Sequence, residues 1–397
     1  MNYLTILLLV LFLLSLVEFT FSKYKVLCDQ LFHVAFAFTV FWVSIKYYIG
    51  PDILSYVPFY EKAQPLKEII SGHYQGDFEI GFAIFCSLLK SIGLSFWGMT
   101  VIVSLIYFSV IYKLFKKISS YKIFGLFVLV LLDYNLLLYE FRQSLAVSFY
   151  LWMVLFLFDK KYVASILMLA ISSLLHKSGL FMGLGTLVVY EFRFIKIDKQ
   201  TYILLLVLLM LFLIIPLKEF LLPLLDSLPL KPSVINSIKH HLLITKSFQW
   251  IFMVYVITIF CAAYYNNFTK ENAKWHWIIF ASLLIIVLLF QYWFILNRLR
   301  SYFLPLAIIY IINVIQNSKD KSPLPKQILV VTLYLFAAVF YRGYHNGLEK
   351  SVSKVNATST VFQLLTKSKE QVQEEQMQKA TKFWKYEYLN YELNKND

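Results

Sequence analysis

The chain has 397 residues, of which 59% are hydrophobic and only 15% charged, with a formal net charge of +14 and a mean hydropathy of +0.67. Soluble domains are about a quarter charged, so this composition excludes an ordinary soluble globular protein. The basic balance would suit nucleic acid, but lysines placed in short loops between apolar runs account for it without such a partner.

Apolar runs of roughly twenty residues recur along the chain. The first, Leu4 to Val17, has the core of a signal peptide, yet no basic stretch precedes it and no small-residue cleavage site follows, so it reads as a retained span. Further spans are expected over 26–45, 96–112, 123–139, 143–158, 162–175, 179–192, 201–217, 249–265, 275–294, 301–316 and 327–342, about twelve in all. The fold class that follows is an all-α polytopic membrane protein. Cys28, Cys86 and Cys261 sit apart in apolar surroundings, with neither metal spacing nor a disulfide framework.

Lysines cluster in alternate connections: Lys23 and Lys25, Lys113 to Lys122, Lys160 and Lys161, Lys196 and Lys199, Lys270 and Lys274, Lys319 to Lys326. The positive-inside bias puts these loops in the cytoplasm and both termini outside. Two long outer segments result, 46–95 and 218–248, and connections of that length are more often functional than idle. The first holds Gly50-Pro51-Asp52 and Asp77-Phe78-Glu79-Ile80-Gly81, with a short interfacial helix expected over 80–92. Residues 1–345 read as the transmembrane domain. Residues 346–397 form a charged tail, expected to be a solvated helix or a disordered appendage.

The stretch from Tyr139 to Leu180 carries the polar groups that most need explaining. The helix expected over 143–158 is about 24 Å long and the next, 162–175, about 21 Å. Both fall short of a hydrocarbon core of roughly 30 Å. With Lys160 and Lys161 at the inner face, Arg142 and His176 are expected to be sunk below the outer surface, in a recessed cationic pocket. The competing readings are an Arg142 that snorkels to headgroups and a His176 that merely satisfies a helix-end carbonyl. Ser178 is a plausible cap for the helix that restarts there, whose N–H groups would suit an anion.

Arginine usage points the same way. Of the five arginines, Arg142, Arg298, Arg300 and Arg342 fall on the outer side and only Arg193 inside, whereas lysine dominates the inner loops. A guanidinium grips phosphate oxygens in a two-point fork that an ammonium cannot make. The split therefore suggests an anionic, phosphorylated ligand arriving from outside. Asp133, within an expected span, is a functional candidate or a structural partner for an arginine. Asp52, Asp77 and Glu79 are outer acids that would singly serve as turn or cap residues. No Walker loop, GxGxxG, HExxH or Asp-x-Asp pair is present, which argues against a cytoplasmic enzyme using activated nucleotides.

The chain resembles the EpsG family and the wider group of Wzy-type polysaccharide polymerases. The resemblance rests on Lys46-Tyr47-Tyr48-Ile49-Gly50-Pro51-Asp52 with Tyr56, Glu79-Ile80-Gly81-Phe82, Arg142-Gln143-x-x-Ala146, Leu175-His176-Lys177-Ser178, and Arg298 to Phe303. Lys46 stands where the pattern has arginine. The tail from Glu349 is longer than the resemblance accounts for.

Such a resemblance implies a metal-independent, cofactor-free glycosyltransferase in the bacterial cytoplasmic (inner) membrane, similar to the GT-C class that uses lipid carriers. Its donor and acceptor would be undecaprenyl-diphosphate-linked oligosaccharide repeats, polymerised at the outer face into O-antigen, capsule or exopolysaccharide. Membrane lipid and a polysaccharide chain-length regulator would be further partners. The roles implied are diphosphate or sugar binding by Arg142, Gln143, Arg298, Arg300, Lys46, Tyr56, Asp133, Lys177 and Ser178. His176, Asp52 or Glu79 would act as base or orient the sugar. A flippase for the same lipid-linked unit and a membrane O-acyltransferase are the alternatives. Internal repeats would favour the first, and none is visible; an essential inner histidine would favour the second.

Overall fold

The computed structural model describes residues 3–117, 121–191, 293–317 and 359–394, with Pro223. It divides into one unit of residues 1–183 and 337–397 and another of residues 184–336. Among the described residues the secondary structure is helical, apart from one antiparallel bridge between Lys46 and Thr360.

In the first unit, α1 (Tyr3–Thr20), α2 (Lys25–Ser44), α6 (Phe96–Phe115), α7 (Lys122–Leu132), α8 (Tyr134–Leu138), α9 (Phe141–Phe158) and α10 (Tyr162–Leu175) carry the apolar runs. Between α2 and α6 the segment 46–95 folds into α3 (Ile53–Glu61), α4 (Leu66–Ile70) and α5 (Ile80–Ser91). A new helix, α11 (Lys177–Glu191), starts directly after His176. In the second unit α12 runs Trp293–Asn317. The tail adds a 3-10 turn (Val361–Leu365) and α13 (Lys369–Asn394). By length and composition α2, α6 and α9 are each able to cross a membrane.

Every span expected up to residue 192, and the one over 301–316, coincides with helix. Those over 201–217, 249–265 and 327–342 lie outside the described residues, as does nearly all of 275–294 and, apart from Pro223, of the segment 218–248. Three helices begin at least two residues earlier than expected, α9, α11 and α12. Arg142 lies in the first turn of α9 rather than before it, and α12 starts at Trp293, so Arg298 and Arg300 sit within it. The span expected over 123–139 is broken at Asp133, which closes α7 and opens α8.

Helix packing uses two devices. Aromatic rings interlock α1 with α7 (Phe19 and Phe124, centroids 5.3 Å) and α2 with α6 (Phe36 and Phe108, 5.7 Å). Serines on α10 instead donate to backbone carbonyls of α9: Ser165 to Met153 at 3.0 Å and Ser172 to Ala146 at 2.7 Å. Small hydroxyl residues allow such close approach between apolar helices, where shedding water adds little to association within lipid.

Among the described residues, the first three loops expected in the cytoplasm come together. Lys122 pairs with Asp29 at 2.7 Å, Lys117 with Asp159 at 3.4 Å, and buried Glu18 accepts the Phe124 N–H at 3.0 Å, satisfying a donor at the start of α7. The segment 45–61 gathers with the start of α9 and with the tail.

Glycine sets the closest approach. A Cβ on Gly81 would lie 2.6 Å from the Leu174 carbonyl oxygen, backbone that cannot swing aside, so α5 seats directly on the end of α10. Gly50 has φ +95°, and a Cβ there would run into the Tyr139 side chain. Gly81→Ala is expected to lower stability by about 1–3 kcal/mol, read as a drop in Tm of the detergent-solubilised protein. Gly185→Ala, with nothing within 4 Å of its added carbon, should leave Tm unchanged or slightly raised.

Candidate functional site

The seat of α5 on α10 delivers Glu79 to the two helix starts that carry Arg142 and His176. Glu79 precedes α5 with extended backbone (φ −64°, ψ 143°) and makes no side-chain cap. Its carboxylate turns to other partners instead. Oε2 accepts from Arg142 Nη1 at 2.7 Å, and Oε1 accepts weakly from the Lys177 backbone N–H at 3.4 Å.

Arg142 is held on three sides. Its Nε donates to the Tyr56 hydroxyl at 3.3 Å, and its guanidinium carbon lies 4.1 Å from the centre of the Phe78 ring and 5.7 Å from that of Tyr56. Stacking on aromatic faces is a guanidinium property that lysine does not share. With one N–H on Tyr56 and one on Glu79, the fork keeps further donors for an anion. The Arg142 side chain is 22% exposed and that of Glu79 13%, so the pair is recessed rather than sealed.

Electrostatics follow from this geometry. Burial alone pushes the Glu79 carboxyl upward, but the Arg142 charge, the His176 ring and the hydrogen bonds outweigh it and hold Glu79 below the usual carboxylate range. Burial pushes the Tyr56 hydroxyl up to about 12 against the pull of Arg142, so it stays protonated at neutral pH.

His176 interrupts the chain between α10 and α11 with extended backbone, and its carbonyl accepts the Gly179 N–H at 2.8 Å. Its Nδ1 accepts the Ser178 backbone N–H at 3.2 Å and lies 2.6 Å from Ser178 Oγ. A backbone N–H only donates, so Nδ1 is the acceptor and the neutral ring carries its proton on Nε2.

Of the residues singled out from the sequence, Tyr56, Glu79, Arg142, His176, Lys177 and Ser178 are thus brought together. Asp52 stands one turn before Tyr56, whose backbone N–H bonds to the Asp52 carbonyl at 3.0 Å. Gln143 is buried beside Arg142. Lys46 and Asp133 are enclosed. Asp133 is 1% exposed at the α7–α8 break, and Lys46, 2% exposed, gives its ammonium to Ser104 Oγ at 3.0 Å and to the Leu137 carbonyl, 5.3 Å from the Phe141 ring centre. Lys46 therefore ties the segment after α2 to the approach of α9, its ammonium already engaged within the protein. Arg298 and Arg300 are half-buried on α12 of the second unit. Sequence reasoning missed Phe78 as the platform for Arg142, because a stacking partner distant in the chain leaves no local pattern.

The depressed Glu79 carboxyl makes a pH prediction. Its contribution to stability is fully present above the unfolded carboxylate value and is lost as pH falls through the lower folded value. Thermal unfolding between pH 3 and pH 7 should show this acid loss in the wild type, and Glu79→Gln should flatten it.

Among the described residues no cluster of three or more His, Cys, Asp or Glu is set to hold a metal ion. No curated protein and no solved structure matches the chain. The model of the EpsG family matches residues 30–354, a range that takes in every motif converging on Arg142. The chain belongs to the EpsG family, a membership that points to a membrane protein of the polysaccharide-polymerase type.

Proposed function

We propose that the protein polymerises undecaprenyl-diphosphate-linked oligosaccharide repeats at the outer face of the bacterial cytoplasmic membrane, as a glycosyltransferase that calls on no metal. The observation that carries this reading is the recessed Arg142, stacked on Phe78 and steadied by Glu79 and Tyr56. A guanidinium kept rigid with donors to spare suits a lipid diphosphate, which is anionic and lies at that depth.

In the proposed reaction an acceptor sugar hydroxyl attacks the anomeric carbon of the donor. The new glycosidic C–O bond forms as the bond from that carbon to the diphosphate oxygen breaks. Arg142 and the Nε2–H of His176 take up the charge on the departing undecaprenyl diphosphate. Glu79 is drawn to Arg142 and held acidic, and His176 presents a proton, so neither suits the base. By elimination Asp52, at the start of α3, receives the acceptor proton. The reading rests on Arg142. A flippase for the same lipid would also need an anion grip but would form no glycosidic bond.

Arg142→Ala is expected to abolish long polymer while single repeats still reach the surface. Arg142→Lys should not rescue it, because the ammonium loses both the fork and the stack. Analysis of surface glycans by gel decides this. Long polymer at wild-type amounts in Arg142→Ala would end the proposal.

A further inference from the structure

The tail, expected as a solvated helix or a disordered appendage, forms a helix with one side packed. Its first described residues form a short antiparallel bridge with the outer segment: Tyr47 N–H donates to the Ser359 carbonyl at 3.2 Å, and Val361 N–H to the Ile45 carbonyl at 2.8 Å. Val372, Gln376 and Ala380, each four residues apart on one side of α13, are 0%, 1% and 0% exposed. Farther along, Trp384 Nε1 donates to the Pro51 carbonyl at 3.1 Å. The tail residues in these contacts all lie beyond residues 30–354, the part matched by the family model, whereas Ile45, Tyr47 and Pro51 lie within it.

What the tail holds is the peptide that leads into the site. Pro51 precedes Asp52, Asp52 opens α3, and α3 carries Tyr56, which accepts from Arg142. Lys46, whose backbone faces Thr360 in the bridge, reaches the Leu137 carbonyl just before α9. The two ends of the clasped segment therefore each bear on Arg142, one through Tyr56 and one through the entry to its helix. The clasp is not of maximal strength, because Gln376 Nε2 is buried in the seam without a hydrogen-bond partner.

We propose that the C-terminal tail is a strap that positions segment 45–56 and thereby tunes the Arg142 site, with Trp384 as a positioning residue acting through Tyr56. The inference rests on the polymerase reading for its catalytic meaning and on the packing alone for the docking. The strap is separable from the family's common machinery, so it sets how well the diphosphate is gripped without supplying a reacting group. Tightening the seam should strengthen the grip and loosening it should weaken it.

The test uses the full chain in membranes. Trypsin accessibility of the tail lysines reads docking, and turnover of lipid-linked repeats reads the site. Val372→Asp is expected to speed tail cleavage several-fold and Gln376→Leu to slow it. Trp384→Ala should lower kcat/KM by about 3- to 10-fold, mostly through KM, and should add nothing in a Tyr56→Phe background, a non-additivity that a merely structural role would not produce. Equal cleavage of wild type and Val372→Asp overturns the docking. An unchanged kcat/KM in Trp384→Ala, or an undiminished effect in Tyr56→Phe, overturns the positioning role. A wild-type protein that makes no polymer overturns the functional reading and the strap's catalytic meaning with it, while the cleavage comparison still decides the docking.

Discussion

The ion pair between Arg142 and Glu79 is the interaction on which the arrangement depends. It joins α9 to the start of α5, and through the Lys177 N–H it reaches the start of α11. Removing one partner of a buried pair costs roughly 3–5 kcal/mol, because the other charge is left stranded. With both side chains partly exposed, the lower part of that range applies here. A carboxylate in this position also keeps a desolvated guanidinium charged and aimed, so the cluster is organised in advance of the anion proposed for it.

Chain breaks make the pair possible. An uninterrupted helix would carry its polar end groups out to the membrane surface. Here the chain breaks at Asp133, at Tyr139-Glu140 and at His176, and α10 is only 14 residues long. The polar ends are thereby brought into contact around Glu79. Gly81 then lets α5 sit on the backbone of α10, and Gly50 lets the outer segment turn tightly over Tyr139. The aromatic contacts among Tyr56, Phe78, Phe82 and Phe141 fill what remains around the guanidinium.

Much of the helical architecture was legible because apolar length and lysine placement respond to the membrane, a constraint that acts on every span separately. Arg142 and His176 stood out for the same reason: they are polar groups next to runs too short to bring them into water. Glu79 was visible as one outer acid among several, but its pairing with Arg142 was not, since contacts across 63 positions leave no local spacing to read. Lys46, which the resemblance implies as a diphosphate or sugar ligand, has its ammonium taken up by Ser104 and Leu137, partners that no local spacing shows. The tail was illegible because its packed face includes Gln376, so Val372, Gln376 and Ala380 do not read as an apolar stripe.

The central claim is that the Arg142 cluster faces the outside, opposite the Lys160-Lys161 turn. Cysteine accessibility tests it most directly, in a background where Cys28, Cys86 and Cys261 are replaced by serine. A membrane-impermeant thiol reagent added to intact cells should label Ser178→Cys, with lipid-linked oligosaccharide slowing the reaction, and should leave Lys160→Cys untouched until the membrane is opened. Labelling of Lys160→Cys from outside with Ser178→Cys protected would place the guanidinium on the cytoplasmic side and contradict the account.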